Sequence, residues 1–174
     1  MAPTLLVALA VLQAAAPLSS DRTRPRVRPE DGCARALVAD GEQASPTVAG
    51  LLTSLEASDV VVYLRCGAGL PHRGSLTFVA HGGPLTYVLV RVDVGQPRRE
   101  RIATLAHELT HATEVASARP PLETEAGLER LYRAIGIPGE RKGEFESRAA
   151  LANERQVKAE MWIAAARPRT PSER

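Results

Sequence analysis

Aromatic residues are scarce in this chain: one tryptophan, three tyrosines and two phenylalanines stand in 174 residues. So few rings do not make an aromatic platform for nucleic acid, and the core has to be built from leucine, valine and alanine. Strong charge of either sign is also missing. The formal net charge is +2, and Arg22, Arg24, Arg26 and Arg28 crowd one short segment, which argues against electrostatic nucleic-acid binding by the rest. There are only two cysteines, Cys33 and Cys66, with no CxxC pair, so a thiolate zinc site is not indicated. In an exported chain they are expected to form one disulfide, tying the start of the domain to the end of a strand. Two buried thiols are the alternative.

One long apolar run is present, Leu5 to Ala16, broken only by Gln13. It is shorter than the roughly 20 residues a spanning helix needs. With Ala14-Ala15-Ala16 at its end it reads as a signal-peptide core. Residues 1–20 are therefore expected to be a signal peptide or, if uncleaved, a weak membrane anchor, and the protein to be secreted or periplasmic. No lipobox cysteine follows the run. Residues 21–31 read as a basic, proline-rich linker, residues 167–174 as a disordered tail, and residues 32–166 as one domain.

Within that domain the pattern runs helix, strands, then helices. Cys33 to Ala39 reads as a short helix closed by Asp40-Gly41. Ser45 and Pro46 supply a cap and a first-turn proline for a helix from Pro46 to Ala57. Asp59 to Arg65 is β-branched and reads as a buried strand. Ser75 to Ala80 and Leu85 to Val94 form a hairpin across His81-Gly82-Gly83-Pro84. Helices are expected over Arg98–Ala118, Glu123–Ile135 and Gly143–Ala166. The order predicts an α+β fold, with a small mostly antiparallel sheet packed against helices.

The helix over Arg98–Ala118 contains His107-Glu108-Leu109-Thr110-His111, an HExxH pattern holding two of the four histidines. Residues four apart share a helix face, so both imidazoles can bind one Zn2+ ion while Glu108 acts on the metal's water. With about 100° per residue, His111 and Glu114 fall beside His107, while Leu105, Leu109, Ala112 and Ala116 fall opposite. A catalytic zinc needs a third protein ligand. The HExxHxxGxxH extension is excluded, because Glu114 and Ser117 stand where it needs glycine and histidine. His72 and His81 lie upstream in loops. A downstream carboxylate is the stronger choice: Glu146, placed at the opening of the last helix, then Glu114, then Glu154. Glu114 leans toward His111 and suits an acceptor for its ring N–H better than a ligand.

HELTH at 107–111, together with Glu146-Ser147-Arg148-Ala149, resembles the gluzincins, zinc peptidases with two histidines on one helix and a glutamate ligand on the next. The likeness covers about residues 59–160, and Ala150 stands where the group usually has aspartate. It implies a zincin-like fold and a zinc metallopeptidase acting on peptide or protein substrates, with metal ligands His107, His111 and Glu146. Glu108 would take a proton from water and pass it to the leaving amine. It also implies that an edge strand, here Leu85–Val94, pairs with substrate, and that Tyr132 or His81 steadies the oxyanion. The alternative is a catalytically inactive, secreted metal-binding or interaction domain.

Overall fold

The computed structural model describes residues 25–138 and 145–166. The expected signal peptide or anchor (1–20), most of the linker's first half and the expected tail (167–174) lie outside the described residues. Among the described residues no helix is long and apolar enough to cross a membrane.

The chain is α+β. Strand β1 (Val27–Pro29) leads into helices α1 (Gly32–Ala44) and α2 (Pro46–Glu56), followed by strands β2 (Val60–Gly67), β3 (Gly74–Gly82) and β4 (Leu85–Asp93). Helices α3 (Arg98–Ser117) and α4 (Glu125–Ile135), a two-residue pair β5 (Ile137–Pro138) and β6 (Phe145–Glu146), and helix α5 (Arg148–Ala166) complete it. The expected linker therefore ends too late. Val27–Pro29 pairs with Val62–Leu64, and Glu56 accepts from the backbone N–H groups of Arg26 and Val27.

The sheet is mixed rather than mostly antiparallel, with strand order β1-β2-β4-β3. β1 and β4 both run parallel to β2, and only β3 with β4 is antiparallel. The reason is a skipped position. β3 lies on the far side of β4, so the hairpin returns β4 between β3 and β2, parallel to β2. Gly83, at positive φ (59°), opens the two-residue turn of that hairpin. β4 is thus internal, and β3 and β1 are the sheet edges. The expectation that Leu85–Val94 offers a free edge is overturned, because both its sides are paired.

Local chemistry explains most helix ends. The Asp31 side chain accepts from Ala34 N–H (2.7 Å) at the start of α1. Ser45 accepts from Val48 N–H (3.2 Å) at the start of α2, ahead of Pro46. One expected stop fails: α1 runs on through Gly41. A Cβ there would stand 3.2 Å from both Leu105 and Val48 side chains, so this glycine serves close packing inside the helix rather than ending it.

Helix α3 is the axis of the fold. Every residue from Ile102 to Ala112 is buried. Its apolar side (Leu105, Leu109, Ala112) joins Val62, Leu64, Val88 and Val90 of the sheet and Val48, Leu52 and Leu55 of α2 in one core. Its polar side is equally sheltered, beneath β3, α4 and α5, and there the titratable groups collect.

Candidate metal centre

His107 and His111 lie one helical turn apart, and their Nε2 atoms are 3.1 Å from each other. Zinc ligands held at about 2.0–2.1 Å in a tetrahedron stand roughly 3.3 Å apart, so this spacing suits a shared metal. Glu146 arrives from β6, not from the last helix as expected. β6 pairs with β5 (Ile137 opposite Glu146), and Ser147 caps α5 by accepting from Ala150 N–H (3.0 Å). The carboxylate is thus held between a strand pair and a helix cap. Glu146 Oε2 is 2.8 Å from His107 Nε2. Yet this oxygen is buried and makes no hydrogen bond of acceptable geometry. One donor atom from each of His107, His111 and Glu146 falls within 4.8 Å of the others. Three donor atoms crowd one point, and although the two Nε2 atoms are within hydrogen-bond distance of each other, the Glu146 oxygen is left without a partner, which is the fit expected for a cation between them.

The outer nitrogens have their own partners. His111 Nδ1–H donates to Glu114 Oε2 (2.9 Å). His107 Nδ1 faces Glu154 Oε2 at 3.3 Å, a charge contact rather than an aligned hydrogen bond. The carboxylate at His111 Nδ1 turns that ring's Nε2 inward, and Glu154 stands on the corresponding side of His107. Glu114 thus occupies the acceptor place expected of it, and Glu154 takes the matching place on the other ring. Ser147 and Tyr132 also reach Glu114 and help to hold its pKa below the ordinary value against its burial. Glu154 pairs with Lys158 (2.7 Å), which also holds Glu100 (2.8 Å). Ser147 was not singled out in the sequence, although a serine three residues before Ala150 at a helix start is a capping signal.

The charges say the same. Burial works against a proton on His107, but Glu146, Glu154 and Glu108 together push its pKa up to about 10. Contact with His107 holds Glu146 below the usual carboxylate range against its burial, and takes Glu154 down to about 2. Burial raises Glu108 to about 7, with the two histidines opposing and Glu146 and Glu154 adding to the rise. The pocket holds an excess of carboxylate and favours positive charge between the rings.

These groups floor a cleft of about 1120 Å³ between β3 and α4, walled by Leu76, Phe78, Leu128 and Leu151. His72 lines the cleft mouth, whereas His81 does not line it and lies 3.3 Å from Thr86 Oγ1. The Tyr132 ring stands edge-on to His111 (5.1 Å), and its hydroxyl donates to the His111 carbonyl (3.2 Å). That hydroxyl braces α3 at His111. Cys33 and Cys66 form a disulfide, as one of the two sequence readings expects. No family model, curated protein or solved structure matches this chain.

Proposed function

We propose that this protein is a zinc-dependent metallopeptidase of the gluzincin kind. The observation that carries the reading is the convergence of His107 Nε2, His111 Nε2 and a buried, unbonded Glu146 oxygen, with Glu108 buried one residue along the same helix. His107, His111 and Glu146 would hold Zn2+, and zinc there supplies a Lewis acid for a peptide carbonyl and lowers the pKa of water. Glu108 accepts the proton of the attacking water and delivers it to the departing amine. Glu114 holds His111 in the tautomer that presents Nε2, and the charge of Glu154 beside His107 Nδ1 favours a proton there.

An extended peptide fits the cleft along β3, which as edge strand offers backbone N–H and C=O groups on its outer side. Leu76, Phe78, Leu128 and Leu151 give apolar contact for its side chains. The disulfide favours an oxidising compartment, in keeping with a secreted or periplasmic protein. The test uses purified protein loaded with Zn2+ and fluorescein-labelled casein. Glu108→Gln should retain zinc and lose cleavage by about 10²–10⁴-fold. Zinc binding with no cleavage by the unaltered protein would leave a metal-binding domain without catalysis, and cleavage undiminished by Glu108→Gln would refute the assigned base.

A further inference from the structure

Glu108 has a neighbour that reaches it from outside its own helix. Gly74 opens β3, and a Cβ placed there would lie 2.5 Å from Glu108 Oε1, 2.9 Å from Glu108 Cγ and 2.6 Å from Thr104 Cγ2. Real carbon atoms do not approach that closely. The φ of Gly74 is not in the left-handed region, so backbone conformation does not demand glycine here. Space does.

The strand cannot easily back away. Arg73 C=O accepts from Asp93 N–H (2.8 Å) and from Gln96 Nε2 (2.9 Å). Gln96 also donates to Asp93 C=O (3.1 Å) and accepts from the Thr104 hydroxyl (3.0 Å). Gly74 itself sits opposite Val92 in the β3–β4 ladder. Helix α3, the loop before it and the first residue of β3 are thereby stitched together on one side of the carboxylate. The other side is open to the cleft.

We infer that Gly74 is a positioning residue for Glu108: its bare Cα is the wall against which the carboxylate rests, and that wall sets where the carboxylate meets water. The inference rests on the peptidase reading above, since it gives the position of Glu108 its purpose. A methyl group at residue 74 would stand 2.5 Å from Oε1, and the Glu108 side chain, which lines the cleft on its other side, is what moves. Displacement of a reacting group by about 1 Å costs up to ~100-fold in rate. The three atoms nearest to a Cβ at Gly74 belong to Glu108 and Thr104, not to the histidines or Glu146, so metal binding should be retained.

The experiment compares wild type, Gly74→Ala and Gly74→Ala with Thr104→Ser, each loaded with Zn2+. It reads zinc content, kcat and KM on fluorescein-labelled casein, and the Glu108 side chain in crystals. Thr104→Ser removes the Cγ2 that the methyl also meets and keeps the hydroxyl on Gln96. The expected result for Gly74→Ala is one zinc per chain, KM unchanged, kcat lower by ~10- to 100-fold, and Glu108 turned toward the cleft. Adding Thr104→Ser relieves the contact of the methyl with Thr104 Cγ2 and should leave kcat low. Unchanged kcat, or Glu108 in its original place beside Ala, overturns the inference, as does recovery of kcat on adding Thr104→Ser. If wild type cleaves nothing, the peptidase reading fails by itself, and the crystals still decide whether Gly74 sets the Glu108 side chain. If neither variant folds, the glycine serves the fold and the inference is overturned.

Discussion

Removing the disulfide by the paired substitution Cys33→Ala and Cys66→Ala tests how the two ends of the α1–α2–β2 segment are held. The cysteines are separated by 33 positions. Closing a loop of that span removes roughly 12.5 cal/mol/K from the unfolded chain, about 3.7 kcal/mol at room temperature. The folded state keeps other ties at the same place. Asp31 Oδ2 accepts from Cys66 N–H (3.1 Å), and Glu30 N–H donates to Leu64 C=O (2.9 Å). The native geometry should therefore survive, with the effect falling on the unfolded ensemble. For a domain of this size, that loss lowers Tm by roughly 10 °C. Thermal unfolding followed by circular dichroism measures it, and reductant added to wild type should reproduce the shift. Neither cysteine lines the cleft, so zinc content should not change. A Tm drop of less than about 3 °C would refute the loop-closure argument, being under 1 kcal/mol on the same scale. Loss of zinc would show that the bridge organises the site itself.

Two further outcomes are expected. Burial alone would raise the Glu160 pKa, but hydrogen bonds from Ser45 and Thr47 outweigh it and hold the pKa below its ordinary 4.5. A carboxylate with a depressed folded-state pKa contributes stability above its unfolded pKa, and that contribution is lost as pH falls through the folded value. Urea midpoints should therefore fall as pH drops below about 4.5, and more steeply in wild type than in Glu160→Gln; parallel curves would remove Glu160 from the account. Glu114→Ala should weaken zinc binding by about 10–100-fold in competition with a chelating dye, because His111 loses the acceptor on Nδ1; unaltered affinity would mean that Ser147 and Tyr132, not His111, are the reason Glu114 is there.

Elements with a local signature were readable in the sequence. Ser45-Pro46 announces α2, the Gly83-Pro84 turn announces the hairpin, and Pro97 and Pro120 bracket α3. Pairing between distant segments was not. Val27–Pro29 has no periodicity of its own and becomes a strand only because β2 lies beside it. Val60–Leu64 and Tyr87–Val90 are nearly unbroken apolar runs, yet in the fold buried Val88 and Val90 alternate with half-buried Tyr87 and Leu89, so the sequence runs did not reveal which face is covered. At the candidate site, His107, Glu108 and His111 follow from helical spacing alone. The position of Glu146 follows from a two-residue strand pair and a serine cap, and the contact of Gly74 with Glu108 is visible only in three dimensions. Edge-strand identity is not legible in the sequence, because sequence order places Leu85–Val94 last among the long strands while the sheet places it inside.

The central claim is that His107, His111 and Glu146 together hold one zinc ion. Anomalous diffraction at the zinc absorption edge, from crystals of the Zn2+-loaded protein, tests it most directly. The account predicts a single strong peak about 2.0–2.2 Å from both Nε2 atoms and a Glu146 oxygen. No peak between the two rings, or a peak ligated by Glu114 or Glu154 with Glu146 turned away, would contradict it.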